Sequence, residues 1–314
     1  MRITKNPFFR TSTQDFYNES QNTDDYSFYD FLHGYLYSKW PYLYIGVALG
    51  EHPLNRVLAP LFLFLTSILK PTKADDSEDS GYAWANSYHG KVVPLNEAKR
   101  LVSIQEDIYI KDLEQVIPFT KAKDIILKNP ETIVALECPC RASRPDPCTP
   151  LDVCLIVGDP FASFILDHQP EKSRLITSDE AMVILQEEHE RGHVSHAFFK
   201  DAMLNRFYAI CNCCACCCGA FQAQRNGTPM LMTSGYTALI EEDLCQGCQT
   251  CVEHCQFDAI EFDGEKAFII IDDCYGCGVC VDQCQEQAIS LNLDPAKGIP
   301  LEINKLMELS QLAV

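Results

Sequence analysis

No G-x-G-x-x-G follows a predicted strand, and neither G-x-x-x-x-G-K-[ST] nor G-x-S-x-G occurs. A dinucleotide-binding Rossmann domain, a phosphate-cradling loop and a nucleophile elbow are therefore unsupported. Basic residues are scarce, 25 against 44 acidic, for a formal charge of −19. That balance disfavours nucleic acid and anionic lipid as non-specific partners. It suits either plain solubility or docking on a basic surface. The opening MRITKNPFFRTSTQDF has no apolar core after its charges, so it does not read as a secretory signal. Long apolar runs are also missing. Only thirteen uncharged residues separate Arg56 from Lys70, whereas a spanning helix needs about twenty. Cysteine is absent before Cys138.

After that point cysteine dominates. All 18 fall in three groups, Cys138 to Cys154, Cys211 to Cys218 and Cys245 to Cys284. Clustering at one- to three-residue spacing reads as metal ligation, not as a disulfide framework. A reducing cytoplasm keeps such thiols available, so the expected location is cytoplasmic, or peripheral on the inner face of the cytoplasmic membrane.

The last group is the most specific. Cys245, Cys248, Cys251 and Cys255 form C-x2-C-x2-C-x3-C, and Cys274, Cys277, Cys280 and Cys284 repeat it. Three cysteines on a tight loop can wrap three irons of a cubane, while the fourth, at a helix, points away. Gly247, Gly276 and Gly278 let the backbone curl close to sulfur. Between the motifs, AIEFDGEKAFIII reads as a hairpin turning at Asp263-Gly264. From Ala238 to Leu291 the chain resembles the bacterial-type two-[4Fe-4S] ferredoxin family. The resemblance implies a pseudo-symmetric fold with two antiparallel hairpins and two short helices, and an electron-transfer role. It also implies ligation across the motifs: Cys245, Cys248, Cys251 and Cys284 for one cluster, and Cys274, Cys277, Cys280 and Cys255 for the other. The family usually has proline after each fourth cysteine, where this chain has Gln256 and Gln285.

The earlier ten cysteines are less familiar. Cys138, Cys140, Cys148 and Cys154 are spaced C-x-C-x7-C-x5-C, with Pro139, Pro145, Pro147 and Pro150 stiffening the loop. Cys211, Cys213, Cys214, Cys216, Cys217 and Cys218 form CNCCACCC. Eight thiols suffice for two further cubanes, giving four clusters and about sixteen irons in all. One cluster or an unusual larger one is equally compatible with the pattern, as are structural zinc and buried free thiols. Adjacent cysteines on a strand face opposite ways, so neighbours in CNCCACCC can serve different clusters. The pair CPCR and CNCCACCC is similar to that of multi-cluster 4Fe-4S dicluster-domain proteins of anaerobic bacteria, a likeness that implies no defined activity. Arg141 is either a donor to cluster sulfide or a solvated loop cation. His189, His193 and His196 are either packed side chains or a ligand or proton-coupling group, with His193 and His196 on one helical face if a helix holds both.

The expected fold class is α+β: a small α/β cysteine-rich domain followed by a ferredoxin-like domain, with a helical apolar amino-terminal segment. Residues 1–80 divide into a flexible acidic tail to about 30, an apolar and aromatic stretch over 31–70, and a solvated linker over 71–80. The apolar stretch suits a helix pair packed on the core or a partner, or a membrane-interface segment anchored by Trp40, Tyr42 and Tyr44. Residues 81–235 form the cysteine-rich domain, and 236–314 the ferredoxin-like domain and tail. In the middle domain helices are expected over Phe119–Lys128, over Ser178–Glu190 with Ser178 as N-cap, and over Val194–Leu204. Strands are expected over Thr132–Glu137, Val153–Gly158 and Arg206–Ile210. Two of these strands run into cysteines at their carboxyl ends, where open α/β sheets place ligand sites. The two middle groups should therefore converge at one sheet edge.

The functional expectation is an electron carrier or electron-transfer subunit of a larger oxidoreductase system. Its partner would be a redox protein, with a flavoprotein or a membrane oxidoreductase as candidates. The alternatives are a catalytic subunit with its site at the CPCR and CNCCACCC cysteines, and a membrane-bound adaptor dependent on residues 31–70.

Overall fold

The computed structural model describes residues 10–53, 55, 60, 86–110 and 123–312. The apolar run 57–69, apart from Pro60, and the linker 71–80 lie outside them. Among the described residues no helix is long and apolar enough to cross a membrane, so an apolar amino-terminal span is not supported.

Twelve strands are described. They are β1 (Tyr88–Val92), β2 (Ile108–Ile110), β3 (Ile125–Leu136), β4 (Cys154–Asp159), β5 (Ser173–Ile176) and β6 (Val194–Lys200). The rest are β7 (Arg206–Cys213), β8 (Leu231–Met232), β9 (Tyr236–Ile240), β10 (Ile260–Phe262), β11 (Ala267–Ile269) and β12 (Ile289–Leu293). The first eight form one sheet in the order β2-β3-β4-β7-β6-β1-β8, with β5 also on β3. Every pairing is antiparallel except β1 with β8.

Both faces of this sheet are buried, which follows from the two-residue period of strand side chains. Val134, Leu136, Ile156, Phe198 and Tyr208 face one core with Phe16, Phe31, Phe161 and Phe164. Ile133, Ala135, Leu155, Val157, Phe199 and Ile210 face the other, with the helices Leu95–Val102 and Ser178–Glu190 and with Leu301, Ile303 and Leu306.

Several expectations are corrected. Residues 11–20 are a packed helix and not a flexible tail. Phe16 is fully buried there, edge-on to Phe161 and Phe164 at 5.5 and 5.8 Å between ring centres. The expected helix 119–128 is a strand where it is described. Ile125 and Leu127 are buried while Ile126 and Lys128 are half-exposed, a two-residue period. Asn129-Pro130 interrupts β3 without ending it: Asn129 takes a φ of 48° and the register with β4 shifts there. Val194–Lys200 is a strand, not a helical continuation. Its seven residues are all buried between β1 and β7, so no alternation was available to read. The preceding helix is capped by Thr177, whose hydroxyl accepts from the Glu180 N–H at 3.2 Å, not by Ser178. The sheet is also not the parallel α/β type. The cysteines still meet, because in an antiparallel sheet the end of β3, the start of β4 and the end of β7 share one edge.

The carboxy-terminal module holds two antiparallel pairs, β10 with β11 and β9 with β12, and the short helices Thr250–His254 and Val279–Gln283. Only β10–β11 is a hairpin. Its turn is fixed by Asp263, whose carboxylate accepts from the N–H groups of Glu265 and Lys266, both at 2.8 Å.

Candidate metal centres

The module brings its eight thiols together in two sets of four. Cys255, Cys274, Cys277 and Cys280 line one cavity, and Cys245, Cys248, Cys251 and Cys284 line another. Each set takes three cysteines from one motif and one from the other. Backbone N–H groups point at the sulfurs: Ala259 to Cys255 at 3.3 Å, Ala288 to Cys284 at 3.3 Å and Ala238 to Cys274 at 3.5 Å. The sets differ in exposure. Cys274 and Cys280 are buried, whereas Cys248 is exposed.

In the sheet domain the ten thiols part into six and four. Cys138, at the exit of β3, neighbours Cys140 and Cys154; Cys154 stands opposite Cys211 across β4 and β7. Cys140 neighbours Cys218, and Cys218 lies 3.2 Å from Cys213, closing an inner ring of six. The ring lines a cavity enclosing about 800 Å³ of space, mouth included, against the buried sheet face. Cys148, Cys214, Cys216 and Cys217 form a second, outer group, all within 4.8 Å of one another. Each group draws on both sequence clusters.

The donor chemistry fits metal. In the ring the neighbouring Cys140 thiol and burial push Cys138 up to about 12. Burial does the same to Cys277, also to about 12. Such thiols become ligands only when a cation shares their charge. A buried, unpartnered polar atom adds to this: Arg141 Nε has no hydrogen-bond partner, and Arg141 lines the ring's cavity.

Arg141 is not a solvated loop cation. It is 1% exposed. Its Nη1 donates to Pro150 O at 2.7 Å, and its Nη2 to the Glu188 carboxylate and to Asn212 O at 3.0 Å, with His193 Nδ1 lying 3.0 Å away. Burial pushes the Glu188 carboxyl up, but the bonds from His193 and Arg141 outweigh it and hold the group below its ordinary range. The histidines are likewise placed. His193 pairs with Glu188 at 2.7 Å, and His189 bonds Asp282 of the module at 2.7 Å. His196 lies on β6, so it shares no helical face with His193. Its Nδ1–H donates to Val194 O at 3.0 Å, and burial lowers its pKa to about 4, leaving the ring neutral.

Two features escaped the sequence reading. Tyr37, Tyr88 and Tyr208 join their hydroxyls at 2.9 to 3.5 Å beside the ring's cavity. Lys200 sits over the rings of Tyr37 and Tyr88, 4.6 and 4.2 Å from their centres, and burial lowers its pKa to about 7. The residues come from separate elements, so no local motif marks them. The second feature is the contact that Gln256 makes, at the position where the ferredoxin family carries proline. Its Oε1 accepts the Ala215 N–H at 2.8 Å, inside CNCCACCC. Beside it Phe257 stacks on Tyr275 at 4.1 Å and packs on Phe221 at 4.8 Å. The cavity of Cys255, Cys274, Cys277 and Cys280 therefore faces the sheet domain.

Residues 244–289 match the 4Fe-4S dicluster domain family. A search of curated proteins finds no match for the chain. Family match and thiol sets agree that this is an iron–sulfur protein carrying [4Fe-4S] clusters.

Proposed function

We propose that the chain is an electron-transfer protein, working as a subunit of a larger oxidoreductase system and exchanging electrons with a redox protein. The observation that carries this is the Gln256–Ala215 bond with the packing of Phe257 on Phe221, which holds one thiol set of the module against the CNCCACCC turn. When bound, the clusters would supply one-electron chemistry. Cys245, Cys248, Cys251 and Cys284 would hold one, and Cys255, Cys274, Cys277 and Cys280 the other. The protein's own contribution is the gradient of exposure. The cysteines of the inner ring and of the second set are buried or half-buried, and the first set opens to solvent at Cys248. A partner would approach there, and the charge of −19 favours one with a basic surface, such as a flavoprotein.

The test is iron and sulfide analysis of anaerobically purified chain with an EPR-monitored reductive titration. The expected result is more than the about eight irons that two clusters require, with at least two reducible signals. A value near eight confines clusters to the module and removes the relay.

A second reading, an oxidoreductase active site at the inner ring, is favoured by one observation: six thiols exceed the four that a cubane uses, and the tyrosine triad supplies buried protonated hydroxyls beside them. A change in the ring's EPR signal on adding a candidate substrate would support it over a pure carrier. Contact with the membrane interface would fall to Leu36, Trp40 and Leu43, which are 39%, 47% and 41% exposed on the helices Phe28–Lys39 and Pro41–Ala48 and at the junction between them. Trp40→Ser with Leu43→Ser would then reduce co-pelleting with vesicles, and unchanged partitioning would remove that contact. Deleting the segment is a poor test, because Phe31, Gly34 and Tyr37 are buried parts of the fold.

A further inference from the structure

The geometry points to a single tetrahedral metal ion, zinc or iron, held by Cys148, Cys214, Cys216 and Cys217, and not to a cubane at that place; we propose this as a closed structural site. Cys148 Sγ lies 3.1 Å from Cys216 Sγ and 3.8 Å from Cys214 Sγ, and Cys216 Sγ lies 3.6 Å from Cys217 Sγ. No two of the four sulfurs stand more than 4.8 Å apart. One ion bound at about 2.3 Å by four thiolates sets its sulfurs on a tetrahedron of edge about 3.8 Å. A cubane carries each thiolate outward on a separate iron, so its four sulfurs define a wider tetrahedron.

The same structure provides the comparison. Among the described residues no three of the eight module thiols come within 4.8 Å of one another, and each module set opens a cavity. Cys148, Cys216 and Cys217 line none of these cavities and do not line the inner one either. The sulfurs of the inner ring follow one another in pairs, and among the described residues no three of them gather into such a group. The chain thus uses two different thiol spacings, and only the outer group has the spacing of a shared single ion.

The local backbone explains how the four meet. The Cys218 N–H donates to Cys214 O at 3.1 Å, a turn that gathers Cys214, Cys216 and Cys217 on one side and sends Cys218 to the ring. Cys148 arrives on the proline-rich loop, and its N–H donates to Cys217 Sγ at 3.5 Å. Arg144 ties the same loop down, donating to Cys217 O at 3.1 Å and to Gln222 Oε1 at 2.8 Å. Four protein thiols fill a tetrahedron, so no position is left for substrate, as in structural zinc sites. The ion would staple the proline-rich loop to the CNCCACCC turn, one residue from the Ala215 N–H that holds Gln256.

The proposal is independent of the direction of electron flow and of the identity of the partner. It is tested with the full chain and its Cys216→Ser variant, both purified anaerobically, by measuring zinc, iron and sulfide per chain. The expected result is loss of one metal ion with no loss of sulfide, and the element lost tells zinc from iron. Loss of about four irons with matching sulfide, or no loss at all, overturns it. If the variant does not fold, the wild-type chain decides. A zinc edge, or a mononuclear iron component in the Mössbauer spectrum, with four sulfur neighbours and no metal neighbour supports the site. Absence of both overturns it.

Discussion

Arg141→Met is expected to destabilise the sheet domain by about 3 kcal/mol, a large loss for a surface-loop arginine and an ordinary one for a buried ion pair that loses a partner. Arg141 and Glu188 are each 1% exposed at the side chain. Methionine fills much of the same space but leaves the Glu188 carboxylate buried, with His193 and the half-exposed Arg191 as its remaining partners. It also strips donors from Pro150 O, in the loop before β4, and from Asn212 O, which ties the CPCR turn to β7. The size is set by the orphaned charge, so removing both charges should undo most of it. Arg141→Met combined with Glu188→Leu is therefore expected to recover at least half of the loss. Anaerobic urea unfolding followed by circular dichroism measures both variants. A double variant as unstable as the single one would mean that packing, and not charge, explains the effect.

The contrast between Arg141 and the module cysteines shows which parts of the site were legible. A thiolate set for a cubane must repeat a local spacing, because three of its ligands come from one tight loop, so C-x2-C-x2-C-x3-C names its members directly. The hairpin at Asp263-Gly264 is legible for the same reason, its turn chemistry being local. Arg141 gave no comparable sign. Its partners Glu188, His193 and Asn212 are 47 to 71 residues away, and the residue itself sits in a loop that reads as solvated. The six-and-four split of the middle cysteines is equally non-local. It depends on Cys154 standing opposite Cys211 across two strands and on the turn after Cys213 reversing direction. Strand β6 failed for another reason: burial on both faces erases the period that separates strand from helix. The helix Thr11–Ser20 carries one deeply buried aromatic, Phe16, among polar residues that bond back to the core, Ser12 to Asp167 and Thr13 to His168 at 2.5 and 2.9 Å. Its composition resembles a tail while its contacts are those of a packed element.

Gly276→Ala should have the largest effect on metal content. Gly276 lies between Cys274 and Cys277 at a φ of 65°, a conformation that costs an L side chain about 1–2 kcal/mol. Strain alone would be tolerable. The decisive term is space: a Cβ here would meet Tyr236 O and Ser234 Oγ well inside contact distance. Neither neighbour can retreat. Tyr236 belongs to β9, paired along its length with β12, and Ser234 is fixed by donating to Gly276 O at 2.7 Å. The cysteine loop must therefore move off β9, carrying Cys274 away from the Ala238 N–H and Cys277 away from its set. The expected outcome is loss of about four irons per chain with the Cys245, Cys248, Cys251 and Cys284 site retained. Gly264→Ala is the control, since its φ of 104° is also positive but nothing lies within 4 Å of the added Cβ. It should keep all iron and lose only backbone strain of about 1–3 kcal/mol. Iron and sulfide assays with visible circular dichroism separate the two variants. Full iron in Gly276→Ala would show that the loop has room to yield, and would break the link drawn here between the tight approach to β9 and the holding of the second thiol set.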